Sequence, residues 1–174
     1  TAAMAALILA GQLTLPAAAL GDSDAGLFSG DVEITQVFSD AKLIAWLKDA
    51  RNLNGAGADG VLTLAERQAV TSLDLSGQGL TSLEGLEAFP NLETLDCSQN
   101  KLTELDLSAN PKLTRLYCSY NQLTRLDVSQ NPKLAYLYCG YNQLTGLDVS
   151  GHGELIALNC EMNKLTELNL SGCT

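Results

Sequence analysis

The apolar positions in the second half of the chain recur every 21 residues. Each period fits the frame LxxLxCxxNxLTxLDLSxNPK. Its LxC segment alternates, which predicts a short strand with the leucine and cysteine pointing inward and the residue between them pointing outward. One strand per period predicts a parallel sheet that grows one turn at a time. The leucines that mark the period are Leu95, Leu116, Leu137, Leu158, Leu102, Leu123, Leu144, Leu165, Leu105, Leu126, Leu147 and Leu168.

The predicted fold is an α/β solenoid, a right-handed superhelix of 21-residue repeats with its parallel sheet on the concave face and a small helical cap at the N-terminal end. An earlier turn, from Leu73 to Leu92, is one residue longer and has Gln78 where the others have asparagine. The sequence stops before the next core leucine, so we expect either more sequence in the natural protein or pairing through that end. The domains are a signal peptide (1–19), a linker (20–36), the cap (37–69) and about five repeat turns (70–174).

One asparagine per turn follows the predicted strand. The chain turns sharply there and leaves backbone groups inside the solenoid, where water cannot hydrogen-bond them. A buried asparagine amide can satisfy these groups, and removing one should cost about 1 to 3 kcal/mol. We therefore predict a structural column made of Asn100, Asn121, Asn142 and Asn163.

Four cysteines share the same period, at Cys97, Cys118, Cys139 and Cys160. Neighbouring parallel strands stand about 4.8 Å apart, whereas a disulfide needs Cβ atoms about 3.8 Å apart. We expect free thiols that pack as small apolar side chains, without a metal or redox role. Cys173 falls at the position of Asn110 and Asn131 in the frame, and we expect it to be exposed.

Charge limits the choice of partner. Twenty acidic residues against ten basic ones give a net charge of −10, which repels the phosphate backbone of nucleic acids. No segment predicts a transmembrane helix, because the apolar run from Ala2 to Ala10 is too short to span a bilayer. With Ala17 to Ala19 downstream it fits a signal peptide that is cleaved after Ala19, and the alternative is an ordinary apolar N-terminal helix.

Between residues 37 and 69 the sequence predicts a helical cap. Leu43, Ile44, Trp46 and Leu47 form an apolar helical face, with Ser39 as the expected N-cap. A second motif follows, for which two interpretations remain open. Thr63 and Glu66 fit a capping box. The alternative is an EF-hand-like calcium loop with glycine at its first and third positions and with Asp59, Val61, Thr63 and Glu66 as ligands. We expect no other cofactor.

All five tyrosines fall on or next to the outward positions of the predicted strands. Tyrosine combines a large contact area with a polar tip, which suits the recognition of proteins or glycans. The alternative is that tyrosine is a good strand residue that was copied when the repeats duplicated. The candidate partner-binding residues are Arg115, Tyr117, Tyr120, Tyr136, Tyr138, Tyr141 and Glu161.

Enzyme activity is not expected from this sequence. His152 is the one histidine, it falls on the side of the turn opposite the strands, and no triad or glycine-rich phosphate loop accompanies it.

The motif LxCxxNxLTxLDxSxNP resembles the internalin-J-like cysteine-ladder leucine-rich repeats of secreted bacterial proteins. The resemblance covers Val70 to Thr174, and the segments around Phe38-Ser39-Asp40 and Asp59-Gly60 are similar to the N-terminal cap of that family. It implies a secreted or cell-surface binding or adhesion protein, not an enzyme, with a host-derived protein or glycan as partner. The alternative function is a structural spacer within a larger surface protein.

Overall fold

The computed structural model describes residues 30–173. The predicted signal peptide and the first part of the predicted linker lie outside the described residues. The elements of the N-terminal cap are β1 (Val32–Glu33), α1 (Ile34–Val37), α2 (Ala41–Lys48), a 3-10 turn (Leu53–Gly55), β2 (Val61–Leu62) and α3 (Leu64–Ala69). Strands β1 and β2 pair antiparallel.

The linker was predicted to extend to residue 36 and to end in a short strand over Val32 to Thr35, and the structure has such a strand, β1, at Val32–Glu33. Val32 and Ile34 are buried with Leu62 in the apolar core, so residues 32–36 already belong to the cap. Strand β1 pairs with β2 and leads directly into α1. The glycine and aspartate that precede it gave no periodic pattern by which to place this boundary.

A five-stranded parallel sheet forms the solenoid, which confirms the predicted fold. In spatial order its strands are β3 (Ser72–Asp74), β4 (Thr94–Asp96), β5 (Arg115–Tyr117), β6 (Tyr136–Tyr138) and β8 (Ala157–Asn159). Their central leucines pair in register from Leu73 to Leu158. A smaller parallel sheet pairs β7 (Gly146–Asp148) with β9 (Glu167–Asn169), and a 3-10 turn spans Leu86–Ala88.

The strand-exit asparagines bond the backbone of two successive turns. The Asn121 Nδ2 atom donates to the carbonyls of Cys118 (3.1 Å) and Cys97 (2.9 Å), and its Oδ1 accepts from the Leu102 N–H at 3.0 Å. One side chain thus satisfies buried groups that no water can reach. The same pattern of bonds recurs at Asn100, Asn142 and Asn163.

A second polar column runs along the return side of the turns. The Nδ2 atom of Asn131 donates to the carbonyls of Leu107 and Asn110, each at 3.0 Å. The member of every turn bonds a carbonyl 24 residues earlier in the chain, although the side chain changes from turn to turn. The members are Asn110, Asn131, His152 and Cys173.

Cys173 was predicted to be exposed, and that prediction is wrong. Its thiol is half-buried and donates to the Val149 carbonyl at 3.2 Å, the bond that an asparagine amide makes in the earlier turns. A thiol can replace one of the two donors of an amide, and that is sufficient to keep the side chain turned inward.

Asp40 joins the cap to the first repeat. It is the N-cap of α2, in place of the expected Ser39, because its Oδ1 accepts from the backbone N–H groups of Lys42 and Leu43. Its Oδ2 accepts from the backbone N–H and the hydroxyl of Thr81, at 2.8 and 2.9 Å. Burial alone would raise the pKa of Asp40, but the hydrogen bonds from Thr81, Lys42 and Leu43 lower it to about 2.

We expect Asp40→Asn to lower the free energy of unfolding at pH 7 by about 1 to 3 kcal/mol, because the new amide keeps the cap but cannot accept from Thr81. The pKa is depressed in the folded state, so this stability is present above the ordinary pKa of 3.8 and is lost as the pH falls towards 2. Urea unfolding between pH 2 and 7 checks this. The unfolding free energies of wild type and variant should converge in acid. A difference between them that does not depend on pH would contradict the role assigned to the Asp40 carboxylate.

Candidate functional site

The tyrosine face is the name used below for Arg115, Tyr117, Tyr120, Tyr136, Tyr138, Tyr141 and Glu161. Strand β5 supplies Arg115 and Tyr117, and β6 supplies Tyr136 and Tyr138. The register places Asp96, Tyr117, Tyr138 and Asn159 in one row across the sheet. The leucine between the outward residues is fully buried in β4, β5 and β6 and partly buried in β8, so the alternation fixes which side chains face out.

The rings of neighbouring turns stack on each other. Tyr117 and Tyr138 have ring centroids 5.2 Å apart with planes at 22°, and Tyr120 and Tyr141 are closer, at 4.3 Å and 10°. The guanidinium carbon of Arg115 lies 5.4 Å from the centroid of the Tyr136 ring. Stacked rings of this kind contribute about 0.5 to 1.5 kcal/mol beyond their buried area, so they hold one another in place.

Two of these tyrosines have a backbone conformation that tyrosine disfavours. Tyr120 and Tyr141 have φ of 58° and 55°, and their side chains are 52% and 39% exposed. The left-handed region costs a non-glycine residue about 1 to 2 kcal/mol, and glycine or asparagine occupies it more cheaply. Every regular turn requires this conformation just before its ladder asparagine, and Gln99 and Met162 share it. The backbone conformation therefore does not explain why tyrosine occupies these two positions.

A glycine makes room for the acidic end of the tyrosine face. Gly140 stands where the earlier turns have Ser98 and Ser119. A Cβ atom at Gly140 would lie 2.6 Å from the Asn159 Oδ1 and 3.3 Å from the Glu161 Cγ. Its absence lets Asn159 and Glu161 pack over the backbone of the preceding turn, where the Asn159 Nδ2 donates to the Glu161 carboxylate at 3.3 Å.

The negative charge of Glu161 affects the pKa of Tyr141 in the exposed tyrosine pair. A hydrogen bond with the hydroxyl of Tyr120 raises the pKa of Tyr141, and the negative charge of Glu161 adds to that rise. Tyr141 is therefore neutral at physiological pH, and its hydroxyl stays available as a hydrogen-bonding group. The sequence pattern indicated the face, but it did not indicate that Tyr120 and Glu161 act on the Tyr141 hydroxyl.

The cysteines lie beneath the same sheet. Cys97, Cys118 and Cys139 are fully buried and Cys160 is half-buried, all as free thiols. Burial is the main cause that raises the pKa of Cys97 and Cys118 far above the ordinary value and that of Cys139 to about 12. The thiolate is the reactive form, so these buried side chains act as apolar packing.

The candidate calcium residues are engaged in local hydrogen bonds. The carboxylate of Glu66 accepts from the N–H and the hydroxyl of Thr63, both at 2.8 Å, and Thr63 Oγ1 accepts from the Glu66 N–H, which makes a capping box at the start of α3. Asp59 Oδ1 accepts from the Val61 N–H at 3.0 Å. Within residues 30–173, no three His, Cys, Asp or Glu side chains converge into a metal site. Calcium binding at this loop stays a prediction that these contacts do not favour.

His152 has a structural role in the repeat turn. It is 3% exposed, its Nδ1 lies 3.0 Å from the Val149 carbonyl, and its Nε2 lies 3.1 Å from the Val128 carbonyl. Both ring nitrogens therefore face backbone carbonyls and are not available to a substrate. The sequence pattern located this histidine away from the strands but did not indicate that it belongs to the second polar column.

Comparison with known families agrees with this architecture. The family model for leucine-rich repeats, two copies long, matches residues 68–110 and again residues 111–153. Together with the parallel sheet and its 21-residue register, these matches define the class: the chain is a leucine-rich-repeat protein. A search of curated proteins found no match.

Two solved structures place the chain within that class. The functional domain of InlJ from Listeria monocytogenes, which includes a cysteine ladder, is 35% identical over 80% of this chain, with a TM-score of 0.70. An internalin, InlF, from Listeria monocytogenes strain 4b F2365 is 26% identical over 82% of this chain, with a TM-score of 0.67. The chain is therefore an internalin-like leucine-rich-repeat protein. It spans 33% of the InlJ domain and 46% of InlF.

We expect thiol-specific reagents to label the native protein at Cys160 and Cys173 and to leave Cys97, Cys118 and Cys139 unmodified, because only the first two are partly exposed. In denaturant all five cysteines should react. Mass spectrometry of the labelled peptides checks this. Labelling of Cys118 in the native protein as fast as that of Cys173 would contradict the assigned packing.

The positive φ at Tyr120 gives a second prediction. Tyr120→Asn should change the free energy of unfolding by less than about 1 kcal/mol. Asparagine adopts the left-handed backbone conformation at a lower cost, and this gain offsets the lost ring stacking. Tyr117→Asn is the matched control, because it loses a stacked ring from an extended strand with no relief, and it should cost about 1 to 2 kcal/mol. Urea unfolding of both variants checks this, and equal losses would argue against strain at Tyr120.

Proposed function

We propose that this chain is a binding module of a secreted or cell-surface protein and recognises a protein or glycan partner through the tyrosine face. The observation that carries the proposal is the exposed Tyr120–Tyr141 pair in a backbone conformation that disfavours tyrosine. Residues held in a disfavoured backbone conformation are typical of sites that function requires.

The composition of the face supports binding over catalysis. Tyrosine and arginine are the residue types that contribute most binding energy at interfaces, since they bury a large area with few rotatable bonds and still offer a polar end. The rings on this face are already ordered by mutual stacking, so binding loses little side-chain entropy. By contrast, the histidine and the buried thiols are enclosed by backbone and apolar side chains.

Export is the part of the proposal that rests on sequence. The apolar run near the N-terminus with its downstream alanines fits a signal peptide, and the thiols of Cys97, Cys118 and Cys139 are buried where oxidants outside the cell do not reach them. No helix in the described part of the chain is long and apolar enough to cross a membrane. The similarity to internalins of Listeria monocytogenes makes a host-derived partner the first one to test.

A cell-binding assay tests the proposal. Fluorescently labelled full chain is added to cultured mammalian epithelial cells, and the combined variant Tyr117→Ala, Tyr138→Ala and Tyr141→Ala should bind at least about tenfold more weakly. The matched control is Lys112→Ala, Lys133→Ala and Glu154→Ala, which alters three exposed residues outside the face. Trypsin or glycosidase treatment of the cells separates a protein partner from a glycan. Equal binding by both triple variants would favour the spacer alternative.

A further inference from the structure

We propose that the partner presents a cationic segment, rich in arginine or lysine, to the tyrosine face. This inference rests on the proposed function and names the chemistry of its ligand. It comes from the residues at the two ends of the stacked tyrosine row, which differ from those inside it.

The outer ring faces of the stacked pair Tyr117–Tyr138 are turned towards residues other than tyrosine. The centroid distance of 5.2 Å between Tyr117 and Tyr138 is close to the spacing of about 4.8 Å between strands, so the two rings cover each other's inner faces. The outer face of Tyr117 is on the side of Asp96, and that of Tyr138 is on the side of Asn159. An aromatic face carries negative electrostatic potential and attracts a cation placed over it.

Carboxylates lie on the outer side of the Tyr117 ring. Asp96 is the neighbour of Tyr117 in the row, and Asp74 lies one strand further on. The Oδ1 of Asp96 accepts from the backbone N–H and the hydroxyl of Ser98, at 2.9 and 2.6 Å. Among residues 30–173 its Oδ2 has no hydrogen-bond partner. An unpaired carboxylate oxygen on a half-buried residue beside an aromatic ring is a good position for a guanidinium or an ammonium group.

Glu161 provides the carboxylate at the other end. It packs over Gly140 beside Asn159, and its charge acts on the Tyr141 hydroxyl. The aromatic rows are therefore bounded by Asp96 on one side and by Glu161 on the other. A cationic segment that crosses the sheet would meet a carboxylate, two pairs of tyrosines and a second carboxylate in turn.

The face already contains one contact of the proposed kind. Arg115 places its guanidinium over the ring of Tyr136, which shows that the tyrosines of this sheet accept a cation on their faces. Arg115 is also the only basic member of the face, and its charge opposes a cationic ligand. Removing that charge should therefore strengthen binding of a cationic ligand. If Arg115 instead bound the ligand directly, its removal would weaken binding.

An anionic partner fits these residues less well. It would pair with Arg115 alone, while Asp74, Asp96 and Glu161 repel it from both ends of the row. The net charge of −10 repels anions at longer range and draws cations towards the chain. That long-range attraction acts over the whole surface, so the experiment has to separate it from binding at the tyrosine face.

The experiment titrates the full chain with two synthetic twelve-residue peptides, one of alternating arginine and serine and the other of alternating glutamate and serine. Isothermal titration calorimetry at low and at physiological salt gives the dissociation constants, and NMR chemical shifts of the tyrosine rings locate the contact. We expect the arginine peptide to bind and to shift the rings of Tyr117 and Tyr138. The glutamate peptide should not bind.

Paired variants separate the face from the overall charge. Asp96→Asn keeps the Oδ1 acceptor for Ser98 and removes one negative charge, and Glu104→Gln removes the same charge from an exposed residue outside the face. We expect Asp96→Asn, Glu161→Gln and Tyr117→Leu each to weaken binding of the arginine peptide by about two- to fivefold, and Glu104→Gln by less. Arg115→Ala should strengthen it.

The inference is wrong if Asp96→Asn and Glu104→Gln weaken binding equally, or if the glutamate peptide binds and Arg115→Ala abolishes its binding. Failure of this test is distinct from failure of the proposed function. If the tyrosine variants lose cell binding but the arginine peptide does not bind to the tyrosine face, the face binds a partner of another chemistry. If the tyrosine variants keep full cell binding, the proposed function itself fails.

Discussion

The structure depends on the need to hydrogen-bond backbone groups that every turn buries. A solenoid bends its chain sharply at the strand exit and again on the return side, and both bends leave N–H or C=O groups away from water. An asparagine amide has two donors and one acceptor, so Asn121 can link the Cys118 and Cys97 carbonyls and the Leu102 N–H at once. Because each link joins two turns, the amide columns fix the register along with the local bend.

That constraint leaves the outward positions free to vary. The leucines, cysteines and asparagines of each turn are fixed by packing and hydrogen bonding, whereas the residue between leucine and cysteine contributes nothing to the interior. The left-handed residue before each asparagine is a special case, since the backbone there is held by the adjacent amide whatever the side chain is. Tyr120 and Tyr141 can therefore keep a costly conformation without unfolding the turn.

Sequence alone predicts what the period determines. The parallel register, the inward leucines and cysteines and the outward tyrosines all follow from a 21-residue frame and from strand alternation. Prediction from sequence failed where the structure depends on a contact that does not recur with the 21-residue period. Asp40 is the N-cap of α2 in place of Ser39 because it also bonds Thr81, 41 residues away. His152 and Cys173 join the asparagines of the second column although the three residue types share only a donor directed at the carbonyl 24 residues earlier.

The tyrosine face illustrates how repetition and function can be separated. Duplication of one turn accounts for tyrosine at equivalent positions of β5 and β6, and stacking follows because the strand spacing is close to the ring spacing. It does not account for the positions where adjacent turns differ. Asp96 and Asn159 replace tyrosine at the ends of the row, and Gly140 replaces serine in the turn where a side chain would displace Glu161. Asp96 and Glu161, for which Gly140 makes room, thereby place negative charge at the two ends of the tyrosine row, and copying of one turn does not explain that arrangement.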